Sequence, residues 1–510
     1  MNKPNILFIQ TDQLTAFALQ AYGNTFCHTP HLDQLANTGV VFEQAYCNFP
    51  LCAPSRYSMA SGQLASRIAA YDNAVEFPAS VPTYAHYLRD MGYQTCLSGK
   101  MHFVGPDQLH GFEERLTADI YPADFSWAPN WADEGQRDTS DTTGVTVSGI
   151  CARSVQIDYD DEVKFKAIQK LFDIARSTDD RPFFLQVSFT HPHDPYLCKQ
   201  EHWDLYNDSD IPAPQTGPMP AAMHDTHSQR ILAQHSMLDF EFDPADIARA
   251  RHAYYGSVSY IDDCVGELRA ALQASGQADN TIIVFTSDHG EMLGERGMWF
   301  KKTFFEPAMR IPLLICAPSR YKAQRVATPV SLVDLLPTFC SLAQGAGWSD
   351  NVEPLDGENI MEFCQHPNLN RAVYAEYLSE TTPAPIFMIR RGDFKFISSV
   401  ADDDLLFNLA DDRQELINRA GEPRYADTVK QFLDQIDAHW NEPQLTKDIL
   451  LSQARRQLLI SAIKKGLAPR WDYQERPGQE VLWYRGEEGY NQWAYRYLSS
   501  NQTRSVSNNN

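Results

Sequence analysis

Four short apolar runs, Ile6–Ile9, Phe183–Phe189, Ile282–Phe285 and Pro312–Cys316, constrain the fold of this chain more than any other feature. Each is too short for a helix and too uniformly apolar for a strand with one wet face. Each therefore reads as a strand of a parallel sheet, buried on both faces. Helical patterns run between them, at Thr29–Gly39, Val81–Gly92, Glu162–Arg176 and Ala245–Ser275. Pro30 suits a first helical turn and Gly39 a stop. Strands alternating with helices predict an α/β sandwich, and a hydrophobic content of 43% supplies its core.

A second unit begins near residue 370. Ala372–Glu376, Phe387–Arg391 and Phe394–Ser398 read as short strands, with Arg391-Gly392-Asp393 as a hairpin turn and Tyr425–Trp440 as a helix. The segment from Asn207 to Asp243, rich in Pro, Met and His, reads as an irregular surface excursion. From Leu445 a basic, helical stretch leads into an aromatic tail. The expected division is a catalytic domain over 1–368, a subdomain over 369–445, an extension over 446–498 and a disordered tail over 499–510. The tail residues Trp483, Tyr484, Trp493, Tyr495 and Tyr497 are too apolar to stay in water, so they are expected to pack on a neighbouring subunit.

A net charge of −23 argues against nucleic acid or an anionic membrane as partner. No stretch approaches the roughly 20 apolar residues of a membrane span. Met1–Thr11 is too short an apolar run for a secretory signal, and it leads straight into Asp12. Ten scattered cysteines with no Cys-x-x-Cys pair fit a reduced protein, so a cytoplasmic location is expected.

Chemistry concentrates at strand ends, where open parallel sheets collect ligands. The first strand ends in Asp12-Gln13, another in Thr190-His191-Pro192-His193-Asp194, and a third in Ser287-Asp288-His289-Gly290-Glu291. One Asp after a strand is commonly a helix cap; two such ends with Gln and His make a hard-cation site with oxygen-rich ligands. A basic set is also present: Arg56, Lys100, His102, Lys301 and Lys302. It could clamp a tetrahedral anion while a histidine protonates a leaving group. Cys52-Ala53-Pro54-Ser55-Arg56, followed by Ser61-Gly62, places a thiol and an Arg at a helix start. The same five letters recur at Cys316–Arg320, so the pentapeptide alone identifies nothing.

In this order, Asp12, Cys52–Arg56 with Ser61-Gly62, Gly99-Lys100-Met101-His102, Thr286–Gly290 and Leu405-Phe407-Asn408-Leu409 resemble type I sulfatases of the alkaline phosphatase superfamily. The resemblance runs to about residue 440. Thr190–Tyr196, Ser287–Glu295, Met298–Glu306, Ile157–Val163 and Trp471–Gln474 resemble the choline sulfatase branch. The implied fold is an alkaline-phosphatase-like sandwich, with a large mixed, mostly parallel sheet between helices. A smaller C-terminal α+β subdomain with a small antiparallel sheet completes it.

The implied activity is hydrolysis of a small-molecule sulfate monoester to an alcohol and sulfate. The resemblance also implies that a formylglycine-generating enzyme oxidises Cys52 to formylglycine. A hydrated aldehyde carries two hydroxyls; one attacks sulfur, and loss of a proton from the other releases sulfate. By position, Asp12, Gln13, Asp288 and His289 resemble metal ligands, with residue 52 as a further one. Arg56 would hold the nucleophile, Lys100 and Lys301 would bind sulfate oxygens, and His102 would assist the formylglycine hydroxyl. His193 would serve the leaving group, with His191 as its rival and Lys302 as the rival of Lys301. Calcium suits the ligand set, with magnesium or manganese as alternatives. A homo-oligomer, dimer or tetramer, is expected. Cys316 follows a run matching a structural strand of the family and has Arg325-Val326 in place of Ser61-Gly62. It is expected to be an inert buried thiol.

Two departures bear on the substrate. Many sulfatases have a second Asp where this chain has Gln13, so the metal site carries one charge less. Trp127 and Glu380 match the aromatic face and carboxylate that a choline head group needs. The Thr139–Gly144 loop, however, lacks the expected Tyr-His-Asn, and the tail beyond Gln474 diverges. Arylsulfatase action and phosphonate or phosphate monoester hydrolysis stay open. So does an inactive sulfate-ester binder, should Cys52 remain unmodified.

Overall fold

In a computed structural model of the chain, strand Asn5–Thr11 lies inside an eight-stranded sheet. The residues described are 3–131, 140–317, 320–345, 347–468, 470–473, 484 and 489–498. The expected tail at 499–510, Thr139, the Pro318-Ser319 centre of the second pentapeptide, Gln474 and Trp483 lie outside the described residues.

Across the sheet the strands run Gln324–Val326, Val40–Phe42, Leu313–Cys316, Thr281–Ser287, Asn5–Thr11, Phe183–Ser188, Gln94–Gly99 and Glu114–Arg115. Leu313–Cys316 is antiparallel to both neighbours, and every other pairing is parallel. The run at Pro312–Cys316 thus forms a buried strand, as expected, but not a parallel one. Residues 288–312 connect it to Thr281–Ser287 and include the short helix Glu306–Met309 and the strand Arg310–Ile311, which pairs in another sheet.

Helices Val155–Arg176 and Pro244–Ala274 pack together, and Cys52–Ser61, Tyr84–Asp90 and Leu335–Gln344 form a second group. Phe8 of the sheet meets Phe339 of that second group at 5.1 Å between ring centroids. Val155–Arg176 starts seven residues before the expected Glu162, because the Ser154 hydroxyl accepts from Ile157 N at 3.2 Å and caps it. The segment read as an irregular excursion contains a helix, Thr226–Gln234, capped by Asp225.

Beyond the catalytic sheet, Val373–Tyr377, Ile386–Arg391, Phe394–Ser399 and Asp402–Asn408 form a four-stranded antiparallel sheet. The fourth strand was not anticipated, since it opens with Asp402-Asp403-Asp404, residues poor in strand propensity. Helices Ala426–His439 and Glu442–Ile463 follow. The architecture is the mixed, mostly parallel sheet between helices with a smaller antiparallel unit. Among the described residues no helix is long and apolar enough to cross a membrane.

Candidate active site

Four adjacent parallel strands deliver the site. Thr11 pairs with Ser287, Gln10 with Ser188 and Ser188 with Gly99, so the chain segments that follow emerge side by side. They carry Asp12-Gln13, Asp288-His289, the 190–195 loop and Lys100. Gly99 is required here: its φ is +109°, and a Cβ would stand 1.9 Å from the Ser188 carbonyl oxygen.

Helix Cys52–Ser61 is buried along its whole length and ends at Gly62, whose left-handed backbone donates to Ser58 O. Its first residue, Cys52, places Sγ 3.3 Å from His289 Nε2 and 3.8 Å from Asp12 Oδ1. Asp12, Cys52, Asp288 and His289 offer ligand atoms that all lie within 4.8 Å of one another. One turn along, Arg56 Nε donates to Asp288 Oδ2 at 2.8 Å, and Nη2 reaches Asp12 Oδ2 at 3.3 Å. Its Nη1 donates to Lys100 O and Ser188 Oγ at 2.7 and 2.8 Å. This guanidinium ties all four strand ends to the cysteine helix. Burial opposes ionisation of Asp12, but Lys100, His193, Arg56 and His289 outweigh it and hold the carboxyl well below its ordinary range.

Lys100 also pairs with Asp12 and lies 4.2 Å above the Tyr121 ring. His102 turns the chain two residues beyond Lys100. Its φ is +59°, and Asp119 Oδ2 pins the turn by accepting from Met101 N and His102 N at 2.9 and 2.7 Å. Neither ring nitrogen of His102 has a partner among the described residues. Burial and then the Lys100 charge push its pKa down to about 3, so it is neutral.

The two rival pairs separate. Lys301 Nζ meets Gln13 Oε1 and lies 2.7 Å from His193 Nε2. Lys302 turns away to Glu380 Oε1 at 3.0 Å. His193 therefore faces the cation cluster. His191 instead gives Nδ1 to Asp160 Oδ2 at 2.7 Å and lies edge-on to Tyr260. Asp160 also accepts from Thr190 N and His191 N at 2.7 and 3.0 Å, which fixes the whole loop.

Gln13, in left-handed backbone at φ +67°, turns its Nε2 toward Glu291 Oε2 at 2.5 Å and Asp194 Oδ1 at 3.2 Å. Glu291 has no role readable from the Ser287–Glu295 motif that contains it. Burial pushes it up to about 7, against the pull of the Leu293 and Phe300 amides.

Trp127 is half-buried, edge-on to His102 with ring centroids 5.7 Å apart. Other neighbours of its ring come from the tail. Tyr484 stacks on Trp127 at 5.4 Å, and Tyr490 Oη lies 3.1 Å from Tyr121 Oη. Trp493 is buried, and strand Tyr497–Leu498 pairs with Arg153–Ser154. Tyr484, Tyr490 and Trp493 thus bury themselves on their own chain, while Tyr497 stays exposed. Cys316 is buried in its strand with Sγ 3.5 Å from Thr38 Oγ1. A separate cavity of about 1320 Å³, lined by Phe17, Tyr22, Arg251 and Arg296, does not include Cys52.

A family model described as Sulfatase matches residues 4–346, and one described as N-sulphoglucosamine sulphohydrolase, C-terminal, matches residues 294–442. Over 483 residues the chain is 44% identical to a choline-sulfatase from Rhizobium meliloti (strain 1021), covering 92% of this chain and 94% of that protein. It is 27% identical over 454 residues to an arylsulfatase from Clostridium perfringens (strain 13 / Type A), with 84% and 92% covered. A solved phosphonate monoester hydrolase from Silicibacter pomeroyi superposes with a TM-score of 0.71 at 23% identity, covering 86% of this chain and 95% of its own. That last likeness is one of fold.

Proposed function

The chain belongs to the sulfatase family of the alkaline phosphatase superfamily, and from that premise we propose that its ester is choline-O-sulfate or a similar small alkyl sulfate. It is a sulfuric ester hydrolase, releasing an alcohol and inorganic sulfate. The observation that carries the site assignment is Cys52 Sγ, 3.3 Å from His289 Nε2 at the start of a buried helix. Asp12 and Asp288 stand beside it, in the same group of ligand atoms.

Asp12, Asp288 and His289, with Gln13 and residue 52, would hold one divalent cation. Two carboxylates and an amide oxygen suit calcium, with magnesium or manganese as alternatives, and the soft Cys52 sulfur is the poorest match. Oxidation of Cys52 to formylglycine by a maturation enzyme would replace that sulfur with oxygen, a donor that suits such a cation. The cation supplies Lewis acidity at the sulfate and at the residue 52 hydroxyl. The hydrated formylglycine supplies a nucleophile that frees itself of sulfate without an attacking water.

The chain's own groups do the rest. Arg56 holds Asp12 and Asp288 in one geometry. Lys100 and Lys301 neutralise sulfate oxygens, and both are buried, where such charges act strongly. His193, whose Nε2 lies 2.7 Å from Lys301 Nζ, would serve the departing alcohol. His102, kept neutral, can accept one from the residue 52 hydroxyl. Trp127 offers a ring face and Glu380 a carboxylate to a quaternary ammonium. The relative at 44% identity supports this head group. All ten cysteines are free among the described residues, in keeping with a reducing, cytoplasmic setting. A homo-oligomer remains part of the proposal.

Peptide mass spectrometry of residues 52–56, on protein made with its maturation enzyme, tests the nucleophile; an unmodified thiol makes the chain an inactive binder. Rates on choline-O-sulfate, an aryl sulfate and a phosphonate monoester test the ester. A preference for either of the last two replaces the proposed substrate with arylsulfatase or phosphonate hydrolase action.

A further inference from the structure

Gln13 carries the one amide side chain in the proposed ligand set, and an amide can face a cation with either its oxygen or its NH2. Which end faces inward is decided by what the other end meets. Glu291 is fully buried, and its two oxygens are used separately. Oε1 accepts from Leu293 N and Phe300 N, each at 2.7 Å. Oε2 faces Gln13 Nε2 at 2.5 Å. Asp194 Oδ1, 3.2 Å from the same nitrogen, is a second carboxylate on that side. With Glu291 Oε1 taken up by two backbone amides, Glu291 Oε2 and Asp194 Oδ1 accept from the NH2 of Gln13. The carbonyl oxygen is left to face Lys301 Nζ, as observed.

We propose that Glu291 is a positioning residue that sets the orientation of the Gln13 amide, so that Oε1 and not the NH2 is turned toward Lys301 and the Asp12–Asp288 cluster. Its part in catalysis rests on the roles proposed above for Gln13 and Lys301. The anchoring of Glu291 Oε1 makes the inference sharp. In Glu291→Gln, the two backbone amides keep the carbonyl where Oε1 was, and the new NH2 points at Gln13. If Gln13 stays, donor meets donor. If Gln13 turns over, its own NH2 confronts the Lys301 ammonium and its oxygen confronts Asp194. Either way a substitution of the same size leaves a mismatch in a dry site. The segment between Glu291 and Lys301 is held by the same carboxylate, through Phe300 N, so one group sets both ends of the Gln13–Lys301 contact.

The test is a reciprocal exchange in the full chain, matured at Cys52. Calcium affinity is read by calorimetry, and kcat and KM on choline-O-sulfate are read alongside it. Glu291→Gln alone is expected to weaken calcium binding about 10–100-fold, the usual cost of losing the partner that orients a ligand. On a chain already carrying Gln13→Glu, the same Glu291→Gln is expected to improve both readouts. There its NH2 donates to a carboxylate, and that carboxylate still accepts from Lys301. A residue that merely stabilised the fold would harm both backgrounds alike. Loss in both backgrounds, or no effect of Glu291→Gln on the native chain, overturns the proposal. If Glu291→Gln does not fold alone, recovery of folded protein in the combined variant is the same reversal, and its absence overturns the proposal too. A native chain that turns over no sulfate ester defeats the functional reading instead, while the calcium arm still reports on Glu291.

Discussion

Lys302 Nζ stands 3.0 Å from Glu380 Oε1, so the carboxylate proposed for a cationic head group already holds a cation of its own. That cation keeps Glu380 ionised: burial alone would raise its pKa, and the Lys302 charge brings it below the ordinary value. A quaternary ammonium would therefore meet a true anion. Glu380→Gln is expected to raise KM for choline-O-sulfate about tenfold, equivalent to about 1.4 kcal/mol, with KM for an aryl sulfate little changed. Lys302→Met should likewise raise KM for the choline ester alone, since it removes the charge that keeps buried Glu380 ionised. A rise in KM for both esters in Lys302→Met would instead mean that Lys302 binds sulfate.

The fold was legible in the sequence where burial wrote itself into composition, and hidden where polar residues did structural work. Ile6–Ile9 and Ile282–Phe285 announce strands because nothing but a core accepts them. Gln94–Gly99 is equally buried, but Gln94, Thr95 and Ser98 break its apolar run. At the site, Asp12, Asp288 and His289 were findable because they follow strands directly. Asp119, Asp160 and Glu291 were not: each acts by accepting backbone or amide protons at a place fixed by tertiary contacts. Sequence spacing could not part His191 from His193 either. The parting comes from Asp160, thirty-one residues before His191, which takes one imidazole out of the pocket.

The duplicated pentapeptide gives a clean contrast. Cys52 lies 3.3 Å from His289 Nε2, whereas Cys316 is buried in a strand with Thr38 Oγ1 3.5 Å from its sulfur. Cys52→Ala is expected to lower kcat by at least about 10³-fold, as removal of a nucleophile does. Cys316→Ala should keep wild-type kcat and KM and lose about 1 kcal/mol of stability in a denaturant titration. Equal losses of turnover would show that the two copies have been assigned wrongly.

The tail contacts predict a dependence of substrate binding on residues far from the catalytic strands. Tyr484 covers one face of Trp127 and Tyr490 holds Tyr121, whose ring in turn lies under Lys100. A chain ending after Arg470 exposes Trp127 and Tyr121 to water and leaves Lys100 without a fixed ring. KM for choline-O-sulfate should rise about tenfold or more, which corresponds to the loss of one stacking or cation–π contact of about 1–2 kcal/mol. Unchanged kinetics in that shortened chain would show that the tail plays no part in the pocket. Its size in solution, measured in parallel, reports whether the tail also joins subunits.

Buried neutral histidines make the fold sensitive to acid. His235 is fully buried, edge-on to Phe300, and burial pushes its pKa down to about 4. In the unfolded chain the same ring titrates near the ordinary value of about 6.5. Between these values the unfolded state binds more protons than the folded one, so stability rises with pH and is lost as pH falls below about 6.5. At pH 5 a single such histidine costs about 2 kcal/mol relative to pH 8. His110, pushed down to about 4 by burial with Asp107 opposing, adds a cost in the same direction. His235→Gln carries no titrating proton, so its unfolding free energy should fall less steeply between pH 7 and pH 5 than that of the native chain. The difference in slope should integrate to about 2 kcal/mol in urea titrations at the two pH values. Parallel pH profiles for the two proteins would mean that His235 titrates alike in the folded and unfolded chain, contrary to its burial.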